Sequence, residues 1–159
     1  MAVLVDLALI ALAIIRLVLA IIFAVAGLYI ASWVLGRLTK GLEEWQEIGK
    51  GNSAVAIYMA GIFVSVAIIV GPGVVGLFRT LDLVGIVIGF VQLVLALALA
   101  VAMQYVGLSF LGRLTKGFDE WAELKKGNIA VGIIMAAIVI AIGAIVSQGV
   151  VSIIEALFA

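Results

Sequence analysis

Residues 35–60 read LGRLTKGLEEWQEIGKGNSAVAIYMA, and residues 111–136 read LGRLTKGFDEWAELKKGNIAVGIIMA. The offset is 76 residues, and it runs without a gap almost from end to end, pairing Asp6 with Asp82, Tyr29 with Tyr105, Trp45 with Trp121 and Gly73 with Gly149. The chain is therefore two copies of one unit, residues 1–78 and 79–159. Such a unit has the length of two membrane helices and a loop.

Hydrophobic residues make up 67% of the 159 residues and charged residues 11%, where a soluble domain has roughly half and about a quarter. A chain this short cannot fold so much apolar surface into its own core, so the remaining solvent is lipid. The formal net charge is zero, which leaves no basic footprint for nucleic acid. Cysteine and histidine are both absent. Disulfides, thiolate metal sites and the usual neutral-pH general base are thereby excluded.

The apolar runs are 2–36, 53–78, 83–112 and 129–158, each longer than the roughly 20 residues that cross a hydrocarbon core. Ala24-Val25-Ala26 resembles a signal-peptide cleavage site, but no basic segment precedes the first run, and 6–36 is the repeat partner of the internal segment 82–112. The fold class predicted is all-α and integral to a membrane: four transmembrane helices arranged as a tandem parallel repeat of two-helix units.

Between the paired helices lie two polar loops, 37–52 and 113–128. They hold Arg37, Lys40, Lys50, Arg113, Lys116, Lys125 and Lys126, seven of the nine basic residues. Basic short loops stay on the cytoplasmic side, so both loops are expected there and both termini outside. Leu42, Trp45 and Ile48 recur at spacing three, as do Phe118, Trp121 and Leu124, which predicts a short interfacial helix in each loop with Trp45 and Trp121 as anchors. Glu43, Glu44 and Glu47, and their counterparts Asp119, Glu120 and Glu123, are expected on the solvated face. Glu43 and Glu47, like Asp119 and Glu123, lie four apart, as carboxylates that bind a divalent cation can, but a solvated polar face is the simpler account of them. Gly51 and Gly127 suit a left-handed helix end, and Asn52 and Asn128 the N-cap of the next span. At the other end, Gly71-Pro72-Gly73 predicts a kink or break. The outer segments 1–16 and 74–91 are expected to be strongly tilted, broken or re-entrant.

Few residues invite a functional role. Arg16 is the one charge well inside an apolar run, and its repeat partner is Gln92. Two readings stand for it: an anchor that reaches the headgroups or pairs with Asp6, Asp82 or Glu155, or a contact in a pore. Asp6 and Asp82 fit a vestibule or, more simply, helix N-terminal charges that complement the macrodipole. Gly85 and Gly89 form a GxxxG, and Ala60 and Gly61 belong to a second small-residue surface; both suit close helix packing or self-association. Gly107-Leu108-Ser109-Phe110-Leu111 lacks the last glycine of a nucleophile elbow, and Glu44 stands where a phosphate-binding loop ending at Gly49-Lys50 needs its first glycine. No catalytic, cofactor-binding or metal-ligating set emerges.

Gly51-Asn52-Ser53-Ala54-Val55-Ala56 and Gly127-Asn128-Ile129-Ala130-Val131-Gly132, with Ala60-Gly61 and Ala136-Ala137 following, give the chain a pattern. It resembles the family catalogued as domain of unknown function three-fifty. The resemblance implies a small prokaryotic inner-membrane protein and brings no reaction, cofactor or catalytic residue with it. The expectation is a non-catalytic scaffold or subunit of a membrane assembly, with the lipid bilayer, further copies of itself or a membrane-protein partner as its company and no nucleic acid. The alternative is an ion or small-solute channel or transporter.

Overall fold

The structure is a computed structural model. It describes residues 7–38, 43–76, 83–115 and 117–158, and among them it contains helices and turns and no strand. The helices are α1 (Leu7–Leu38), α2 (Glu44–Gly49), α3 (Ser53–Gly76), α4 (Leu83–Leu114), α5 (Glu120–Lys125) and α6 (Ile129–Phe158). Four of them are long and apolar enough to cross a membrane, with candidate spans Ala13–Val34, Ser53–Pro72, Phe90–Arg113 and Ile129–Ile153. The short helices α2 and α5 occupy the predicted interfacial segments.

The bundle is organised around α3 and α6. Ala54 meets Gly132 near their first turns, Gly61 meets Ala136, and Ser65 meets Gly143 further on. Ser147 bonds to Ile68 towards the far end. The contacts advance together along both helices, so α3 and α6 run side by side in the same direction. Small residues permit this proximity. A Cβ at Gly61 would lie 2.6 Å from the Cα of Ala136, and one at Gly132 would lie 2.5 Å from the carbonyl oxygen of Ala54. Where no hydrophobic effect drives helices together, such backbone approach supplies the dispersion energy that does. Ala60, grouped with Gly61 as a packing surface by sequence, is exposed. It sits one residue, about 100°, round the helix from the seam, where Gly61 faces Ala136.

Helix α4 packs against both members of this pair, with Ile142 of α6 lying over Gly107. Helix α1 packs on α3 and α4, yet only 6% of its apolar window is buried. The fully buried side chains include Val55, Tyr58, Ile62 and Val66 of α3 and Met135 and Val139 of α6.

Of the kink or break expected at Gly71–Gly73, the break is absent. Helix α3 continues through Pro72 to Gly76. Likewise α1 and α4 each run uninterrupted for 32 residues, about 48 Å, so within their described parts the outer segments continue the helices and are not re-entrant. The reason α3 tolerates its proline lies on α6. Pro72 has no N–H, which strands the carbonyl of Ile68 four residues earlier. The Ser147 hydroxyl donates to that carbonyl at 3.0 Å, re-satisfying it from within the bundle.

Two outcomes are expected. Gly61→Ala forces the α3 and α6 backbones apart and costs about 1–2 kcal/mol. Gly149→Ala, where an added Cβ meets nothing within 4 Å, is neutral or gains up to about 1 kcal/mol from helix propensity. Reversible unfolding in bicelles ranks the two. In the same assay Ser147→Ala costs about 1 kcal/mol. Most of that cost disappears in a Pro72→Ala background, because residue 72 then returns its own N–H to Ile68.

Candidate functional site

Polar chemistry in this chain gathers at one end of the bundle, where α2 and α5 turn into α3 and α6. Both corners are built alike. Gly51 (φ 87°) and Gly127 (φ 83°) take the left-handed conformation that L side chains avoid. The Gly51 N–H then reaches the Ile48 carbonyl at 2.9 Å and the Asn52 N–H the Glu47 carbonyl at 3.0 Å. The same pair of bonds recurs at Gly127 and Asn128, to Leu124 and Glu123. This is the Schellman closure, and it ends one helix where the next begins. The Asn52 Oδ1 caps α3 by accepting the Val55 N–H at 3.2 Å. At the start of α5, Asp119 Oδ1 accepts the Ala122 N–H at 3.0 Å, whereas Glu43 makes no side-chain cap to α2.

Each corner also carries a carboxylate clasp. Glu47 accepts from Lys50 Nζ at 2.7 Å and from Asn52 Nδ2 at 3.3 Å. Glu123 accepts from Lys126 Nζ at 2.7 Å and Asn128 Nδ2 at 3.1 Å. The Lys50 ammonium, and after it the Asn52 amide, hold the Glu47 carboxyl below its ordinary range, and Glu47 holds Lys50 above its own. Lys126 and Asn128 do the same to Glu123. The clasps are not symmetrical in reach. Asn52 Nδ2 also lies 3.1 Å from the Leu124 carbonyl and 3.2 Å from that of Lys125, so it ties α3 to the end of α5. Asn128 stays within its own corner.

Glu44 and Glu120 depart from expectation. Both are 8% exposed and do not share the solvated face with Glu47 and Glu123. Each precedes a tryptophan of the apolar stripe, about 100° round a helical turn, and is drawn inward with it. Glu44 lies against Gly36 of α1: a Cβ there would stand 3.5 Å from Glu44 Oε2, an ordinary contact. Glu120 Oε1 is buried with no partner among the described residues, as is the Tyr58 hydroxyl. The Tyr58 ring meets Trp121 edge-on, with centroids 5.6 Å apart; Trp45 is exposed and lies 6.4 Å from Phe63.

Two cavities follow one another along the crevice between α1 and α3. The first, about 500 Å³, opens at the polar end among Tyr29, Ser32, Trp33 and Gly36 of α1, Glu44 and Trp45 of α2, and Met59 of α3. The second, about 260 Å³, is walled by Ala20, Ala24 and Leu28 against Val66, Ala67 and Val70. Deeper in the bundle, Gln104 Nε2 donates to Ser65 Oγ, and the Ser65 hydroxyl donates to the Val139 carbonyl at 2.6 Å. That chain joins α4, α3 and α6. Among the described residues no three carboxylates converge as metal ligands would.

A family model described as Domain of Unknown Function (DUF350) matches residues 6–150. The chain belongs to that family. No curated protein and no solved structure matches it. The match spans both copies of the repeat and both polar corners of this DUF350 chain.

Of the residues singled out by sequence, Trp45 and the corner glycines and asparagines come together at the polar end. Gln92 is buried in α4, its Oε1 without a partner among the described residues. Glu155 is exposed near the end of α6. Arg16 lies on α1 within the candidate span Ala13–Val34, three residues from its start; its side chain, and Asp6 and Asp82 entirely, fall outside the described residues, as do the contacts of Gly85 and Gly89. Sequence reasoning missed the inward turn of Glu44 and Glu120. The signal was their identity in both copies, at the edge of the apolar stripe.

Because Asn52 bridges two elements and Asn128 one, Asn52→Ala is expected to cost about 1–2 kcal/mol more than a lone cap contributes elsewhere, and Asn128→Ala about 1 kcal/mol or less. The clasps hold above the ordinary carboxylate range and are lost as pH falls through the lowered values of Glu47 and Glu123. Amide exchange at Gly51, Asn52, Gly127 and Asn128 should therefore accelerate on acidification, and Glu47→Gln should remove that dependence at the first corner alone.

Proposed function

We propose that the protein is a four-span integral protein of the cell (inner) membrane that catalyses nothing itself and serves as a scaffold or subunit, assembling with further copies or with another membrane protein. Loops 37–52 and 113–128 lie in the cytoplasm and both termini outside, on the bias of the basic residues. The two halves are tandem parallel repeats about an axis along the membrane normal. The parallel course of α3 and α6, each facing residues about one repeat further on, supports that symmetry.

The observation that carries the reading is the closure of the α3–α6 seam. With Gly61 against Ala136 and Gly132 against Ala54, backbone fills the repeat axis and leaves no room for a passage there. The Ser65 and Ser147 hydroxyls and the Gln104 amide N–H inside the bundle are spent on each other and on carbonyls, where a conducting path would present them to water. Outside, α1 offers almost its whole apolar window to lipid or to a partner. The channel alternative therefore needs an oligomer axis.

Counting subunits by stepwise photobleaching in nanodiscs, together with ion flux into liposomes holding the same protein, tests the reading. The expected outcome is more than one copy per disc and no flux. A solitary protomer, or a current whose ion preference changes on Arg16→Gln, would overturn it.

A further inference from the structure

The two halves match residue for residue, yet they treat the crevice between their own pair of long helices differently. In the second half Ala96 and Ala100 of α4 are wholly buried, packed with Val150 of their own α6 and with Ile69 of α3, and Ile142 closes over Gly107. Their counterparts in the first half, 76 residues earlier, are Ala20, Ala24, Val66 and Ala31. Ala20 and Ala24 are only half-buried and wall the 260 Å³ cavity, with the smaller Val66 in place of Ile142. The opening at Ala20 and Ala24 thus stands where the equivalent alanines of α4 are covered.

The crevice is graded along its length. Its inner part is lined by aliphatic side chains. Its outer part, at the polar end, is lined by the rings of Tyr29, Trp33 and Trp45 around the Glu44 carboxylate. From Ala20 to Gly36 the helix rises about 24 Å, close to the roughly 20–22 Å of one leaflet with its headgroup layer. Aromatic faces with a nearby carboxylate favour an ammonium cation, most strongly where water is thinned.

We infer that the α1–α3 crevice is a binding site for one phospholipid of the loop-side leaflet. An acyl chain lies between Ala24 and Ala67, and an amine-bearing headgroup sits among Tyr29, Trp33, Trp45 and Glu44. The site rests on the membrane reading above. It makes the lipid a structural partner that covers Ala20 and Ala24, whose equivalents Ala96 and Ala100 are covered by Ile69 and Val150.

The test reconstitutes the full chain into vesicles of equal parts phosphatidylethanolamine and phosphatidylglycerol, extracts it gently and counts retained lipids by native mass spectrometry. One phosphatidylethanolamine per chain is expected, favoured about tenfold over phosphatidylglycerol. Ala24→Leu, which grows into the inner cavity, should lower retention of both lipids about tenfold, whereas Ile145→Leu on the exposed face of α6 should not. Trp33→Ala combined with Trp45→Ala should keep a lipid bound but abolish the headgroup preference; Glu44→Gln should weaken that preference. Equal retention of the two headgroups by the natural chain, or undiminished retention by Ala24→Leu, overturns the site while leaving the membrane reading intact. A chain that does not enter the vesicles overturns both.

Discussion

The close, parallel approach of α3 and α6 is the constraint on which the other features of this fold depend. Two helices can lie this near only where glycine or alanine faces the neighbour's backbone, and Gly61, Gly132 and Gly143 supply those places. Parallel direction then puts both polar corners at one end, which lets Asn52 reach the last carbonyls of α5. The same proximity brings Ser65 to the Val139 carbonyl and Ser147 to the Ile68 carbonyl. A hydroxyl on a short side chain spans only a hydrogen-bond length, so a wider seam would stretch both serine bonds.

Much of this was legible in the sequence because the governing signals are local or repeated. Long apolar runs set the four large helices, and the apolar spacing of Trp45 and Trp121 set the two small ones. Gly51 and Gly127 declared their left-handed backbone by standing between a helical stripe and an asparagine. The failures share another cause. Pro72 reads as a break when considered on its own helix; its remedy is a serine on α6. Glu44 and Glu120 read as solvated when charge alone is weighed, and their burial follows from which side of each short helix faces its neighbours, Gly36 of α1 beside Glu44, and α3 and α6 against α5. Ala60 and Gly61 are neighbours in composition, and only the rotation of α3 about its axis separates the exposed residue from the packed one. Each depends on an orientation between elements that periodicity does not encode.

The serine and glutamine chain across the bundle shows what hydrogen-bonding side chains contribute among apolar helices. Gln104 and Ser65 pass a donor across three helices and end on a backbone carbonyl. Partners of this kind are specific in direction and position, where aliphatic packing is only specific in volume. They fix how α4 is rotated against the central pair, a choice that the near-uniform apolar surface of these helices leaves open.

The serine that completes Pro72 has a consequence for the duplicated sequence as a whole. Residue 71 is the position equivalent to Ser147, and it is glycine; the position equivalent to Pro72 is Gln148. Similarly Gln104 corresponds to Leu28, and Ser65 to Ala141. Each half therefore holds one side of a bargain whose other side sits in its twin. Two first halves paired together would bring two prolines and no hydroxyl to relieve them, and two second halves would bring glutamine without its serine. The copies have specialised past interchangeability, so the covalent link between them keeps together two parts that are now complements and no longer duplicates.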